Sequence, residues 1–287
     1  MIVQIKKGYQ GKKQLLNGIY ILCMIAASLF MLYPLLWMAS SSLKKNQLIF
    51  ATATDLIPDN PTLQNYTRGW AGFAGLDFGL FFSNSLLIAG ISSVGSMLSA
   101  AIGAFGFARL RFPGRKIWFV IMILTMMLPY QVMQISRFVL FKDLGWIGTY
   151  LPMTLPSFCG SAFNIFLVMQ FIRGIPVDMD EAARMDGCSW YRIFFSIVMP
   201  LIIPAMVTVL ILSFIGSWGD YISSMMYLNT PKMYTAAYAL KMFSDNTGTD
   251  YGATFAMSTL SLMPIMVLFF FFQKQLIEGC SFDGLKG

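Results

Sequence analysis

Apolar residues in this chain do not alternate with polar ones. They arrive in long blocks, parted by short charged segments. The first block, Gln14 to Leu43, carries no charge. About 20 apolar residues cross a bilayer as a helix, so Gly18–Ala39 predicts a first span. The block exceeds the roughly 7–15 apolar residues of a secretory signal. Five further spans are predicted at Gly79–Ala108, Ile117–Ser136, Leu144–Ile172, Ile193–Gly219 and Tyr251–Phe272. The third is interrupted by Pro129, which removes a helix hydrogen bond. Lys44–Asp77 predicts an interfacial connection with a short helix, Arg137–Asp143 a brief outer turn, and Asp220–Asp250 the last outer loop. The expected fold class is an all-α membrane protein with six transmembrane helices. Its expected divisions are an N-terminal segment (1–16), a first transmembrane helix with its outer connection (17–78), a core of five transmembrane helices (79–274) and a C-terminal tail (275–287).

The most charged break, Ile175–Pro204, lies between two apolar blocks. Pro176 opens it with a fixed backbone angle. Asp178 precedes Glu181 by three residues, the spacing of a capping box. Residues 181–186 suit a helix of about two turns, and Gly187 is placed to end it, because glycine accepts the left-handed angle that follows a helix. A second helix is predicted from Ser189 into the apolar residues that begin at Ile193. Read from these residues alone, the stretch is a short surface helix, a hard turn and a return into lipid, which an ordinary connecting loop also satisfies.

Composition narrows the class. Hydrophobic residues make up 57% of the 287 and charged residues 11%, against roughly a quarter charged in a soluble domain. The formal charge of +7 sits beside the apolar spans, as membrane topology requires, which argues against nucleic acid as a partner. With both termini cytoplasmic, thirteen of the twenty Lys and Arg fall inside and seven outside, which supports that orientation. There is no His, the commonest general base and metal ligand. The four Cys, at 23, 159, 188 and 280, have no paired spacing and predict neither a disulfide framework nor a metal site. A phosphate-binding loop needs GxxxxGK[ST]; Gly11-Lys12-Lys13 is the nearest fragment and lacks most of it. No catalytic residue, metal or cofactor is therefore expected in this chain. In the second span Ser92, Ser96 and Ser99 share one helix face, which suits either close helix packing or the lining of a polar pathway.

One spacing carries more than the physics of a loop. Glu181-Ala182-Ala183, three residues, Gly187, nine residues, then Ile197 and Pro200 resemble the EAA signature of ABC importer permeases, with Met199 where Leu is usual. Gly216-Ser217-Trp218-Gly219-Asp220-Tyr221 resembles the Gly-Ser-Trp-Asn-Asp-Phe segment of sugar permeases, with Gly219 in place of Asn. Leu56-Ile57-Pro58, Thr62 to Tyr66 and Met233-Tyr234-Thr235 resemble flanking segments of the same proteins. Glu278-Gly279 with Gly284-Leu285-Lys286-Gly287 looks like the tail of maltose-type permeases. From about Leu56 to its end, the chain is thus similar to the carbohydrate uptake type-1 family, and within it to the smaller permease subunit of maltose-type systems.

That resemblance implies a type I ABC importer permease fold in a bacterial plasma (inner) membrane, with a cytoplasmic coupling helix at 178–191. It implies a second, related permease subunit, an ABC ATPase dimer that binds ATP and Mg, and an extracytoplasmic solute-binding protein that delivers a sugar. Glu181, Ala182, Ala183, Met185, Gly187 and Trp190 are the expected contacts with the ATPase. Sugars are held by aromatic faces and hydrogen-bonding side chains, so Tyr130, Gln131, Gln134, Asn164, Trp218, Asp220 and Tyr221 are the expected pathway residues. A small organophosphate such as glycerol phosphate is the alternative solute, and a basic patch in the cavity would mark it. An ion-driven secondary transporter would usually place a charge mid-span; the six predicted spans have none near their centres.

Overall fold

The computed structural model describes residues 2–245 and 248–280, helical apart from a pair of two-residue strands, Ser244–Asp245 and Gly248–Thr249. The helices in chain order are α1 (Ile2–Ser42), α2 (Gln64–Ala71), α3 (Phe78–Arg109), α4 (Arg115–Met126), α5 (Tyr130–Asp143), α6 (Leu151–Thr154) and α7 (Ala162–Gly174). They continue as α8 (Asp178–Met185), α9 (Trp190–Ile193), α10 (Met199–Leu201), α11 (Ile203–Trp218), α12 (Tyr221–Tyr227), α13 (Ala236–Met242) and α14 (Tyr251–Cys280). Four stretches are long and apolar enough to cross a bilayer: Leu16–Ser42, Phe78–Arg109, Leu151–Gly174 and Tyr251–Gln275. Two bent pairs, α4 with α5 at 102° and α9–α10 with α11 at 75°, bring the number to six if each pair is one span.

Several boundaries depart from the sequence expectation. Arg137–Asp143 is not a turn but the second half of α5, because helix resumes directly after Pro129 and continues to Asp143. The fourth stretch becomes helical at Leu151 rather than Leu144, and a 3₁₀ turn at Leu155–Cys159 ending in Gly160 breaks it again. The last outer loop holds α12 and α13, with Asp220 and Thr235 as their N-caps. Helix α14 runs on to Cys280, into the expected tail. The tail residues Gly284 to Gly287 lie outside the described residues.

Two compact units are distinguished, residues 1–70 with 246–260, and residues 71–245 with 261–287. In the first, the end of α1 is tied to the following connection by polar side chains. Asn65 Nδ2 donates to the carbonyls of Ser42 (2.7 Å) and Lys44 (2.6 Å), and Asn65 Oδ1 accepts from Arg68. Buried Lys44 donates to the carbonyls of Thr52 and Asp55, each at 2.6 Å. These bonds fold the Leu56 and Thr62–Tyr66 segments back on the helix end.

In the second unit α3 is the central helix, packed mainly against α11 and α7. Its buried residues at this seam are Ala100, Ala101, Ala104 and Phe105, which meet Val168, Met169 and Ile172 of α7 and Ala205 and Val209 of α11. Lipid tails are as apolar as these side chains, so close van der Waals packing rather than escape from water holds the helices, and small residues permit it. Gly95 shows the constraint: a Cβ there would stand 2.6 Å from the Phe158 ring. The serine face of α3 docks on the broken fourth stretch. Ser92 Oγ donates to the Met153 carbonyl (2.9 Å) and Ser99 Oγ to the Ser157 carbonyl (3.0 Å). Asn84 Nδ2 donates to the carbonyls of Lys232 and Tyr234, and Ser85 Oγ accepts from Ala236 N, so the start of α3 clamps the Met233–Thr235 edge.

Candidate functional site

Two places in the second unit carry the residues singled out by sequence. The first is the turn built on α8. The helix begins one residue earlier than a capping box requires: Val177 is the N-cap and makes no side-chain cap, while Asp178 stands at the first helical position. Asp178, Asp180 and Glu181 instead place three acids in the first turn, where the helix dipole favours negative charge. At the other end Gly187 has φ +80, Gly187 N donates to the Arg184 carbonyl and Cys188 N to the Ala183 carbonyl. This pair of bonds is the Schellman closure, which glycine adopts without the Cβ penalty. Ser189 then caps α9, accepting from Arg192 N at 3.4 Å. A π-helical turn at Phe194–Val198 and the 75° bend before α11 complete the re-entry.

This turn has an inner and an outer face. Asp180 and Ala183 are buried, and Ala183 belongs to the same core as α3 and α7. Asp180 Oδ2 lies 2.6 Å from Arg109 Nε, and both side chains are almost wholly buried. Arg109 Nη2 also donates to the Ile175 carbonyl at 2.7 Å. One guanidinium thus joins the last turn of α3 to both the entry and the first turn of α8. Burial raises the Asp180 carboxyl above its ordinary value, and the Arg109 guanidinium acts in the opposite sense. The outer face carries Glu181, Ala182, Met185 and Gly187, all exposed, with Met185 89% accessible. Trp190 is half-buried, beneath Arg184 (4.9 Å) and against the edge of Phe105.

The second place is a cavity of about 770 Å³, within the roughly 300–1,000 Å³ of small-molecule sites. It lies between the α4–α5 bend, the broken fourth stretch and the α11–α12 junction. Its polar wall includes Ser96, Tyr130, Arg137, Ser217, Asp220 and Ser223. Tyr130 Oη is 3.3 Å from Ser223 Oγ, and the Arg137 guanidinium lies over the Tyr130 ring at 4.9 Å. Asp220 Oδ1 accepts from Ser223 N at 3.0 Å. Ser96 faces this cavity while Ser92 and Ser99 bind backbone, so the serine face of α3 serves both packing and lining.

Of the seven pathway residues expected from sequence, Tyr130 and Asp220 line this cavity. Trp218 is buried, stacked on Phe214, with Nε1 donating to the Ser261 carbonyl at 3.0 Å. Asn164 is buried and donates to Ser213 Oγ. Tyr221 lies under Lys241, Gln131 is exposed and Gln134 half-buried. Three residues were missed by sequence reasoning. Asp180 and Arg109 are not among the sequence candidates; the available signal was that Asp180 and Ala183, three residues apart, share one α8 face. Arg137 was assigned to a turn, whereas seven residues from Tyr130 is two helical turns, and a helical side chain leans toward its N-terminus.

Comparison with known proteins agrees with this architecture. Residues 92–279 match the family described as binding-protein-dependent transport system inner membrane component. The galactooligosaccharides transport system permease protein GanQ of Bacillus subtilis is 33% identical over 91% of this chain and 92% of its own. The arabinooligosaccharides transport system permease protein AraQ of the same organism is 31% identical with the same coverage. The diacetylchitobiose uptake system permease protein DasC of Streptomyces coelicolor is 26% identical over 90% of this chain and 92% of its own. Among solved structures, a chain of a bacterial ABC transporter involved in the import of alginate shares the fold, with a TM-score of 0.77 at 23% identity over 92% of this chain and 97% of that one. The match covers the serine face of α3, the cavity wall and the α8 turn together, and this multi-pass membrane protein belongs to the family of binding-protein-dependent transport system inner membrane components.

Proposed function

We propose that this chain is a permease subunit of an ATP-driven importer that translocates a sugar or oligosaccharide delivered by an extracytoplasmic binding protein, with α8 as the element that engages a separate ATPase dimer. The observation that carries this reading is the two-faced α8 turn. Its inner face is fixed to α3 by the Arg109–Asp180 pair, while its outer face offers Glu181, Ala182 and an exposed Met185 to a partner. Exposed Met favours interface cores, and the acidic first turn suits a basic partner surface. Ala183 and Trp190 serve the turn from within: Ala183 allows α8 to lie close on the core, and Trp190 braces Arg184. In this reading a second permease completes the pathway, ATP and Mg belong to the ATPase, the termini are cytoplasmic, and this chain performs no chemistry of its own.

The sugar assignment draws on the named relatives, which transport galacto- and arabino-oligosaccharides and diacetylchitobiose, and on the hydroxyl-rich cavity. Arg137 and Asp220 both line it, one cation and one anion, so the wall lacks the basic patch that an organophosphate would favour.

The test is copurification with the ATPase of the same operon, comparing wild type with Glu181→Lys and Gly187→Asp, followed by uptake of a panel of labelled neutral oligosaccharides. The expected result is a wild-type complex that transports at least one of them and variants that lose the ATPase or lose transport at least tenfold. A wild-type chain that binds no ATPase overturns the coupling role; a complex that transports none of the panel overturns the sugar assignment.

A further inference from the structure

The cavity wall holds more than its hydroxyls. Arg137 is a half-buried cation with no carboxylate within ion-pair distance among the described residues. One face of its guanidinium is covered by the Tyr130 ring, which orients the group while leaving N–H donors for a ligand. Asp220 stands on the same cavity wall, as an acceptor. One of its oxygens is engaged by Ser223 N, which fixes the carboxylate at the start of α12. Tyr130 is held in turn by the Ser223 hydroxyl. A donor fork and an acceptor are therefore presented to one space by two different elements, and residue 223 touches the supports of both.

We propose that Arg137 and Asp220 form a recognition subsite for a neutral glycosyl unit, reading two of its hydroxyls. One hydroxyl oxygen accepts from the Arg137 guanidinium and the other hydroxyl donates to the Asp220 carboxylate. A neutral diol can do both, since each hydroxyl is donor and acceptor. An anionic unit gains from Arg137 but meets the like charge of Asp220, which opposes its binding. The pair therefore selects neutral sugars over uronic acids, on this subunit. This rests on the sugar-importer reading above and goes beyond it by naming the residues and the charge class.

The experiment uses the transporter complex that copurifies with this chain, reconstituted in nanodiscs, and saturation-transfer NMR with galactotriose and digalacturonate as probes. Wild type is expected to saturate galactotriose and to give little signal with digalacturonate. Arg137→Gln should weaken galactotriose binding about tenfold. Asp220→Asn should raise the digalacturonate signal severalfold relative to galactotriose, a gain that misfolding does not produce. Equal galactotriose binding by wild type and Arg137→Gln, no galactotriose signal in wild type, or a wild-type preference for digalacturonate each overturn the subsite. Uptake of the neutral oligosaccharide panel by cells separates the two readings: uptake with any of these outcomes sinks the subsite alone, whereas absence of uptake sinks the sugar assignment beneath it.

Discussion

Asp180 and Glu181 are neighbours of similar chemistry with opposite surroundings. Asp180 is 2% accessible and paired with Arg109; Glu181 is exposed. A carboxylate removed from water is tolerated only where a cation compensates it, and removal of one partner of a buried pair typically costs about 3–5 kcal/mol because the other is left unpaired. Asp180→Asn and Arg109→Gln are each expected to lower the thermal stability of the purified protein strongly. The double substitution Arg109→Met with Asp180→Leu should cost less than the sum of Arg109→Met and Asp180→Leu made singly, since neither charge is then stranded. Thermal unfolding of the five variants beside wild type, followed by thiol-reactive dye, reads this; additive losses would show that the pair is not coupled.

At the scale of the element, α8 was largely legible in the sequence and its attachment was not. Pro176, Gly187 and Ser189 are local signals, and each acts on residues within a turn of itself, so the helix, its stop and the next start could be read in order. The capping box failed because Asp178 entered the helix instead of preceding it, which no local spacing distinguishes. The Arg109 hitch joins residues far apart in the chain, and no periodicity reports such a pairing. Pro129 marked an interruption, yet a 102° change of direction depends on what α5 packs against, so the cavity and Arg137 within it were hidden. The same distinction predicts two kinds of α8 variant. Met185→Asp alters an exposed side chain and should leave thermal stability within about 0.5 kcal/mol, while abolishing copurification with the ATPase. Ala183→Leu overfills the core shared with α3 and α7 and should cost about 1–3 kcal/mol. Loss of stability in the first variant, or its absence in the second, would invert the assignment of faces.

At the scale of the whole molecule, the exposed surface is the strongest statement. Phe30 is 82% accessible, and Met31, Leu22 and Phe270 are likewise exposed. Large contiguous apolar surface of this kind marks an interaction surface in a water-soluble protein; on α1 and α14, both long enough to span, it is the surface that meets lipid or a partner span. The bilayer also fixes which ends face which compartment, since Lys and Arg concentrate on the cytoplasmic side. Arg109, Arg111, Arg115 and Lys116, with no acid among them, mark the junction of α3 and α4, so that junction and the α8 turn are expected inside, with the connection 46–63 outside. Ile57 and Met185 are 85% and 89% accessible, which makes them suitable reporters. With the four native cysteines replaced by serine, Ile57→Cys is expected to react with a membrane-impermeant maleimide in intact spheroplasts, and Met185→Cys only in inverted vesicles. If coexpression of the ATPase then protects Met185→Cys while leaving Ile57→Cys reactive, orientation and docking are established by one reagent. Labelling of Met185→Cys from outside would reverse the orientation, and with it the assignment of α8 to a cytoplasmic partner.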